Sequence, residues 1–126
     1  MRLIYLGGPY SDENKELMKE RVDKQAHALA YFARTADNLV LYSPIVHWSY
    51  VEFTYELPHD FNFWKQQDFH MIRQATAMWV LALDGWKESF GLGQEIEYAR
   101  DIGKEVMFVI PDESAYFLTD VEPTYA

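Results

Sequence analysis

Residues 89–113 read SFGLGQEIEYARDIGKEVMFVIPDE and carry the strongest fold signal in the chain. Two closely spaced glycines lead into a predicted helix over residues 93–102, which Gly103 would end. The uninterrupted apolar run over residues 106–110 follows and is closed by Pro111. Such a run is typical of a parallel strand that is buried on both faces. A helix that leads into a strand of this kind indicates an α/β protein.

The same alternation of strands and helices extends toward the N-terminus. Short apolar runs predict strands at residues 2–6, 39–42 and 78–83. Apolar residues at three- and four-residue steps predict helices over 11–38, with Ser11 at the start, and over 64–75. Strands that alternate with helices imply right-handed βαβ units. We therefore predict a Rossmann-like or flavodoxin-like α/β fold with a parallel sheet of four or five strands flanked by helices.

Aromatic residues make up 17% of the chain, and seven of them fall between Trp48 and Trp64. The aromatic segment, residues 47–63, has neither a helical nor a strand period, and Pro58 interrupts it. We predict a long functional loop there. Its side chains and Trp86 could stack on a nucleobase, although aromatic residues also fill flaps and subunit interfaces. Residues 112–126 show no strong pattern.

Composition excludes several classes of function. With no Cys, the chain has no thiolate nucleophile, thiolate metal cluster or disulfide framework. The 20 acidic against 11 basic residues give a net charge of −9, which argues against binding to duplex nucleic acid or to an anionic membrane. The four His lack the spacing of a metal site, so no metal is expected. Without repeats, linkers, long apolar stretches or a signal-peptide pattern, we expect one cytoplasmic domain over residues 1–126.

Ligands of open parallel sheets bind beyond the carboxyl ends of the strands. That rule selects residues 7–11, 43–48 and 84–95. The candidate substrate-binding residues within them are Gly7, Gly8, Tyr10, Ser11, His47, Trp86, Ser89, Gly91 and Gly93. A dinucleotide fingerprint would need a third glycine where this chain has Ile96, so neither NAD nor FAD binding, nor any other cofactor, is predicted. From spacing alone, Glu95 is an acid favoured by the helix dipole.

Residues 89–113 and the opening IYLGGPYS resemble the nucleoside 2-deoxyribosyltransferase superfamily, which includes deoxynucleoside 5′-monophosphate N-glycosidases and small bacterial and phage relatives. Its G-L-G-x-E-x-G-Y-A segment matches residues 91–99. The resemblance covers the first strand and residues 64–113, and the aromatic segment only loosely. It implies that Glu95 is a nucleophile that attacks the anomeric carbon of a 2-deoxyribosyl group. It also implies that Asp68 helps to protonate the leaving base, and that the protein is a homo-oligomer.

Ser89 departs from the transferase pattern. The transferases carry Asp at this position, whereas the 5′-monophosphate N-glycosidases carry a Ser that contacts phosphate. A hydroxyl can donate to a phosphate that a carboxylate would repel. The Arg that the glycosidases carry in the first loop is absent, and Lys15 is the nearest cation. We therefore expect a 2′-deoxynucleoside or its 5′-monophosphate as the substrate, with the monophosphate bound more tightly through Ser89 and backbone amides of the two glycine-rich turns.

Three classes of function remain open at this stage. The first is an enzyme, either a hydrolase or a transferase, that cleaves or exchanges the N-glycosidic bond through Glu95. The second is a non-catalytic nucleotide-binding or sensing module of the same fold. The third is a glycohydrolase that acts on an NAD-type bond. The intact Glu95 beside Ser89, Gly91 and Gly93 favours the enzyme, because a module that only binds has no need of a carboxylate facing a sugar. The preferred base and the acceptor of the sugar stay open.

Overall fold

The computed structural model describes residues 1–124, which form one five-stranded sheet and four helices. In chain order the elements are β1 (Arg2–Gly7), α1 (Lys15–Thr35), β2 (Leu39–Tyr42), α2 (Pro44–Thr54), α3 (Phe61–Gln74), β3 (Ala77–Leu81), α4 (Phe90–Asp101), β4 (Glu105–Asp112) and β5 (Ala115–Thr119). The strand order is β2-β1-β3-β4-β5. The first four strands are parallel, and β5 pairs antiparallel with β4. This is the flavodoxin-like order, and it confirms the predicted α/β fold.

Helices cover both faces of the sheet. On one face Ile4, Leu6 and Trp79 are buried against Ala28 of α1, in a cluster completed by Val109 of β4. On the other face a second cluster joins α3 and α4 to the sheet through Tyr5, Ile72, Met78, Val80, Ala99 and Phe108. All five residues of β3 are buried. Each fully buried aliphatic side chain contributes about 1.5–3 kcal/mol, so these two clusters fix the sheet that positions the site.

The segment between β2 and α3 differs from the prediction. Residues 47–63 were expected to form a long loop, but residues 47–54 belong to helix α2, residues 61–63 begin α3, and only residues 55–60 connect the two helices. Ser43 caps the helix because its hydroxyl accepts a hydrogen bond from the Val46 amide at 3.1 Å. Pro44 follows at the first helical position, where its missing N–H has no consequence. Both features were visible in the sequence.

Three helix starts also differ from the prediction, and one of them is that of α3, which begins at Phe61 and not at residue 64. Helix α1 begins at Lys15 because Asn14, and not Ser11, caps it: the Asn14 side chain accepts from the amide of Glu16 at 2.9 Å. Helix α4 begins at Phe90, three residues before the predicted start. Ser89 is its N-cap and accepts from the Leu92 amide at 3.3 Å. The two glycines of the motif therefore belong to the helix itself.

The C-terminal part of the sheet was not predicted. Residues 115–119, which showed no strong pattern, form the antiparallel edge strand β5 through a tight turn after β4. The strand predicted at 78–83 is β3, which runs one residue earlier and ends at Leu81. No helix within residues 1–124 is long and apolar enough to cross a membrane.

Candidate functional site

A cleft of about 400 Å³ opens at the carboxyl ends of β1, β2 and β3, at the point where the strand order reverses. Loops and helix ends from all three βα connections contribute to it. Its lining residues are Gly8, Tyr10, Ser11, Pro44, Ile45, Trp48, Glu52, His59, Asp60, Phe61, Trp64, Asp68, Glu88, Ser89, Phe90, Gly91, Leu92 and Glu95. The volume suits a small molecule of nucleoside size.

Two buried carboxyl groups meet in the cleft. Glu95 lies in the second turn of α4 and Asp68 in α3, and each is 8% exposed. The packing of α3 on α4 brings them together: the Phe69 and Tyr98 rings stack in parallel with their centroids 4.0 Å apart. Because Glu95 lies beyond the first turn of α4, the helix dipole contributes little to its placement. The dipole-favoured explanation therefore does not account for this residue.

Gly7 makes room for the carboxyl group of Glu95 at the end of β1. A Cβ atom on Gly7 would lie 2.7 Å from Met78 Cε, 3.0 Å from Leu92 Cδ1 and 3.5 Å from Glu95 Oε1. A side chain at this position would require the ends of the Met78 and Leu92 side chains to shift. Gly7 thus supports the site from behind and does not line the cleft.

Burial is the main cause of the abnormal acidity of the pair. It raises the pKa of Asp68 to about 6, and hydrogen bonding toward Glu95 partly offsets this rise. Burial raises the pKa of Glu95 well above its usual range, the charge of Asp68 raises it further, and the Tyr5 hydroxyl partly offsets both. No Lys or Arg within residues 1–124 forms an ion pair with either group. The pair therefore keeps a proton at pH values where ordinary carboxyl groups are ionised.

Tyr5 of β1 lies against this pair and was not singled out from the sequence. Its side chain is 1% exposed, and burial foremost, followed by the charges of Glu95 and Asp68, raises its pKa well above the usual range. Its hydroxyl has no hydrogen bond of normal geometry to the described residues, and neither does Asp68 Oδ1. The feature of the sequence that could have indicated Tyr5 is a hydroxyl-bearing side chain in an otherwise apolar strand, two residues before Gly7.

The opposite wall of the cleft contains a third buried carboxyl group. Glu52 of α2 is 6% exposed and accepts a hydrogen bond from the Tyr10 hydroxyl. Burial raises the pKa of Glu52, while Tyr10, His59 and Trp64 lower it and so partly offset the effect. Ser11 donates to the His59 carbonyl at 2.5 Å, which links residues 8–14 to the connection between α2 and α3. Glu52 was not predicted as a site residue, because it lies within the aromatic segment, which was expected to be a loop.

A buried glutamine supports the loop of residues 8–14 from below. Gln25 of α1 is fully buried and donates from Nε2 to the Pro9 carbonyl at 3.0 Å. A Cβ atom on Gly8 would lie 2.7 Å from Gln25 Cδ, so only glycine fits above it. Arg21, one turn earlier in α1, donates to the Tyr10 carbonyl at 3.1 Å. The signal for Gln25 was a polar residue seven positions after Met18, on the apolar face of α1.

Four aromatic side chains form much of the remaining surface of the cleft, namely Trp48, Phe61, Trp64 and Phe90. The Trp48 and Trp64 rings lie 5.3 Å apart between centroids, and the Phe61 and Phe90 rings 5.7 Å apart. Aromatic faces of this kind can stack on a planar ring. The cleft therefore combines a paired acid with surfaces that suit a heterocyclic base.

Comparisons with known proteins agree with this architecture. Residues 2–110 match the family model described as "Domain of unknown function (DUF1937)". The chain belongs to this family. A solved structure of a 2-deoxyribosyltransferase from Bacillus psychrosaccharolyticus is similar at 20% sequence identity and a TM-score of 0.54, covering 88% of this chain and 74% of that one. The resemblance drawn from the sequence is confirmed at the level of the fold. No curated protein matches the chain.

The DUF1937 fold brings seven of the eleven predicted site residues to the cleft: Gly8, Tyr10, Ser11, Asp68, Ser89, Gly91 and Glu95. The other four do not line it. Gly7 lies behind Glu95, and Gly93 is exposed with open space beside it. His47 is exposed and packs against Trp48, with ring centroids 5.2 Å apart. Trp86 is buried in the core against Phe108, so it cannot stack on a base from where it lies.

The charge of the cleft is strongly one-sided. No Lys or Arg of the described chain lines it, whereas five acidic residues do: Glu52, Asp60, Asp68, Glu88 and Glu95. The Ser89 hydroxyl accepts a hydrogen bond from the Leu92 amide as the cap of α4, which leaves its own O–H able to donate to a ligand. This lining argues against the expected preference for a 5′-monophosphate, because a dianionic group would meet carboxylates without a cation to balance them. Within residues 1–124, no group of three or more His, Asp or Glu could hold a metal ion.

Proposed function

We propose that this DUF1937 protein cleaves or exchanges the N-glycosidic bond of a 2′-deoxynucleoside, with Glu95 as the nucleophile. The observation that carries the proposal is the pair of buried carboxyl groups, Glu95 and Asp68, in a cleft with aromatic walls and no cation. Burying two acids together is energetically unfavourable, so a buried acid pair that lines a cleft is a candidate functional site. The fold similarity to a 2-deoxyribosyltransferase supports the same reaction class.

The reaction needs one ionised and one protonated carboxyl group, which is the state that a pair sharing one proton provides. In the first step the proton passes from Glu95 to Asp68. A Glu95 oxygen then bonds to C1′ as the bond from C1′ to the base nitrogen breaks. The electron pair of that bond goes to the base, which takes the proton from Asp68. The negative charge of Glu95 stabilises the oxocarbenium-like transition state.

In the second step, water or another base attacks C1′ of the glycosyl ester. The ester bond breaks, Glu95 leaves as a carboxylate, and Asp68 accepts the proton of the attacking group. Water makes the protein a hydrolase, and a second base makes it a transferase. The exposed mouth of the cleft, lined by Asp60, Glu88 and Phe90, admits either acceptor.

The test is base release by the purified protein. It is incubated with the four deoxynucleosides, their 5′-monophosphates and NAD, and free base is separated by chromatography, with and without an added second base. We expect release from at least one deoxynucleoside by the wild type and by a Glu97→Gln control, because Glu97 is exposed on the same helix. Glu95→Gln should release none. Turnover in Glu95→Gln, or release from NAD alone, would overturn the proposal.

A further inference from the structure

Three side-chain donors that line the cleft are engaged within the protein. Tyr10 donates to Glu52, Ser11 donates to the His59 carbonyl at 2.5 Å, and Trp64 Nε1 donates to the Pro58 carbonyl at 2.8 Å. Because each of these groups already has an acceptor, it offers little to a ligand. A ligand that brings mainly acceptors would therefore find few partners among the lining side chains.

Acceptors, in contrast, are in excess. The five acidic side chains of the cleft present carboxylate oxygens, and no Lys or Arg of the described chain lines the cleft to neutralise them. A bound molecule that brings hydrogen-bond donors suits these oxygens better than one that brings further acceptors. Adenine and cytosine present an exocyclic amino group, which is such a donor, at the position where hypoxanthine and uracil present a carbonyl oxygen beside a ring N–H, and guanine carries both an amino group and a carbonyl oxygen.

We propose that the cleft selects deoxynucleosides whose base carries an exocyclic amino group, and that Glu52 accepts the hydrogen bond from that group. This inference rests on the proposed function, because it names the substrate class of the same site. Glu52 would be a specificity-determining residue for the base, at a distance from the chemistry that Glu95 and Asp68 perform at the sugar.

Burial distinguishes Glu52 from the other acids outside the catalytic pair. Asp60 and Glu88 are exposed at the mouth of the cleft, where water competes for their oxygens and screens their charge. Glu52 is 6% exposed, so a hydrogen bond to it forms in a low-dielectric environment and is stronger. Tyr10 fixes the orientation of its carboxylate through Oε2.

The position of Glu52 on α2 also suits a stacked base. Trp48 precedes it by four residues, so both side chains project from the same face of the helix, and both line the cleft. Trp64 lies against Trp48 with the ring centroids 5.3 Å apart. A base that stacks on this aromatic pair presents its edge to Glu52, and an amino group on that edge can donate a hydrogen bond to the carboxylate in addition to the one from Tyr10.

Matched substrate pairs test the proposal directly. Deoxyadenosine and deoxyinosine differ by an amino group in place of a carbonyl oxygen and by a ring nitrogen acceptor in place of a ring N–H, and so do deoxycytidine and deoxyuridine. We expect the wild type to show a kcat/KM at least about 10-fold higher for one or both amino members, since one hydrogen bond to a charged acceptor corresponds to about 10–200-fold. A ratio near one in both pairs, or a preference for the carbonyl members, would overturn the proposal.

Variants test the assignment to Glu52. Glu52→Gln should lower the amino-to-carbonyl ratio by about 10-fold and retain turnover of the carbonyl member, because a neutral amide accepts less strongly and donates as well. Glu56→Gln, an exposed carboxyl outside the cleft, should leave the ratio unchanged. Tyr10→Phe removes the group that orients the carboxylate, so the ratio should fall in that variant as well, which keeps the assignment testable even if Glu52→Gln fails to fold. An unchanged ratio in Tyr10→Phe, or in a folded Glu52→Gln, would contradict the assignment.

Binding separates this inference from the proposed function. The Glu95→Gln variant, which cannot form the ester, is titrated with both members of each pair by calorimetry. Tighter binding of the amino member without base release by the wild type would leave the inference standing and remove the reaction. Base release at equal rates, with equal binding within each pair, would leave the reaction standing and remove the inference.

Discussion

Glu95 and Glu52 are almost equally buried in the same cleft, yet their surroundings are opposite. Burial raises the pKa of Glu52, and the hydrogen bond from Tyr10 together with the neighbours His59 and Trp64 partly offsets that rise. Glu95 faces a second acid, Asp68, whose charge raises its pKa further. A carboxylate that is surrounded by donors is held in one state, whereas an acid paired with another acid exchanges its proton readily. This difference is the basis on which we propose recognition at Glu52 and chemistry at Glu95.

The largest expected effect is the loss of activity when the acid pair loses its nucleophile. Glu95→Gln keeps the shape of the side chain but cannot form a glycosyl ester, so kcat should fall by about 10⁴-fold or more. Glu52→Gln should retain measurable turnover in the same assay. Base release is measured by chromatography at saturating substrate. Equal losses in the two variants would remove the distinction between the walls.

The next effect concerns Asp68. Asp68→Asn should slow base release by about 10²–10⁴-fold, the usual contribution of a positioned general acid. The loss should be smaller for a deoxynucleoside whose base leaves readily without a proton. The measurement compares kcat for good and poor leaving groups in the wild type and in the variant. If both substrates lose the same factor, Asp68 positions the substrate and donates no proton.

Stability should depend on pH through the same pair. The folded protein binds protons at Asp68 and Glu95 more strongly than the unfolded chain does, because both pKa values are raised. The stabilisation that this proton binding gives to the folded state is fully present below about pH 4. It is lost as the pH rises through the pKa of Asp68, about 6, and then through the raised pKa of Glu95. For Asp68, a rise from about 4 to about 6 corresponds to about 3 kcal/mol.

Thermal unfolding between pH 5 and pH 8 measures this dependence. The wild type should lose stability toward pH 8, and the double variant Asp68→Asn, Glu95→Gln should lose much less. The difference between the two curves isolates the pair from the other carboxyl groups, which ionise in both proteins. Parallel curves would mean that neither acid binds its proton more strongly after folding.

The sequence predicted the α4 wall of the cleft better than the α2 wall, for a physical reason. Residues 89–113 combine a helix followed by Gly103 with an apolar run over residues 106–110, and the structure has both as α4 and β4, although α4 begins three residues earlier than predicted. Helix α2 has a start signal in Ser43 and Pro44 but no helical period, because it is apolar on nearly all sides and its one charged residue, Glu52, points inward. A 3.6-residue period needs a polar outer face, and α2 lacks one.

Other features depend on contacts that no local pattern contains. The exposed edge strand β5 takes its conformation from pairing with β4. Trp86 follows a strand end, where ligands bind, yet it turns into the core against Phe108. The absence of a cation from the cleft became visible only when α2, α3 and α4 were assembled around it. Assembly into a homo-oligomer and a single domain over residues 1–126 stay predictions.

The excess of acidic residues in the cleft should have a smaller effect, which is a preference for a deoxynucleoside over its 5′-monophosphate. A deoxynucleoside should have a kcat/KM about 10–100-fold higher than its 5′-monophosphate, because a phosphate about 8 Å from a carboxylate is repelled by about 2 kcal/mol at an effective dielectric of 20. A nucleoside with a neutral 5′-O-methyl group controls for size, and added salt should narrow the gap. A preference for the monophosphate would restore the expectation drawn from Ser89.

The smallest effect compares the two tyrosines, because each variant deletes a single hydroxyl oxygen. The Tyr10 hydroxyl donates to Glu52, so Tyr10→Phe leaves a buried carboxylate without this donor and should lower the free energy of unfolding by about 1–2 kcal/mol. The Tyr5 hydroxyl is buried without a hydrogen bond of normal geometry to the described residues. Tyr5→Phe should therefore change the free energy by less than about 0.5 kcal/mol, or raise it. Urea unfolding of the two variants beside the wild type measures both values. If Tyr5→Phe loses as much stability as Tyr10→Phe, the Tyr5 hydroxyl donates a stabilising hydrogen bond to the acid pair. The surroundings of Glu95 and Glu52 would then differ less than we propose.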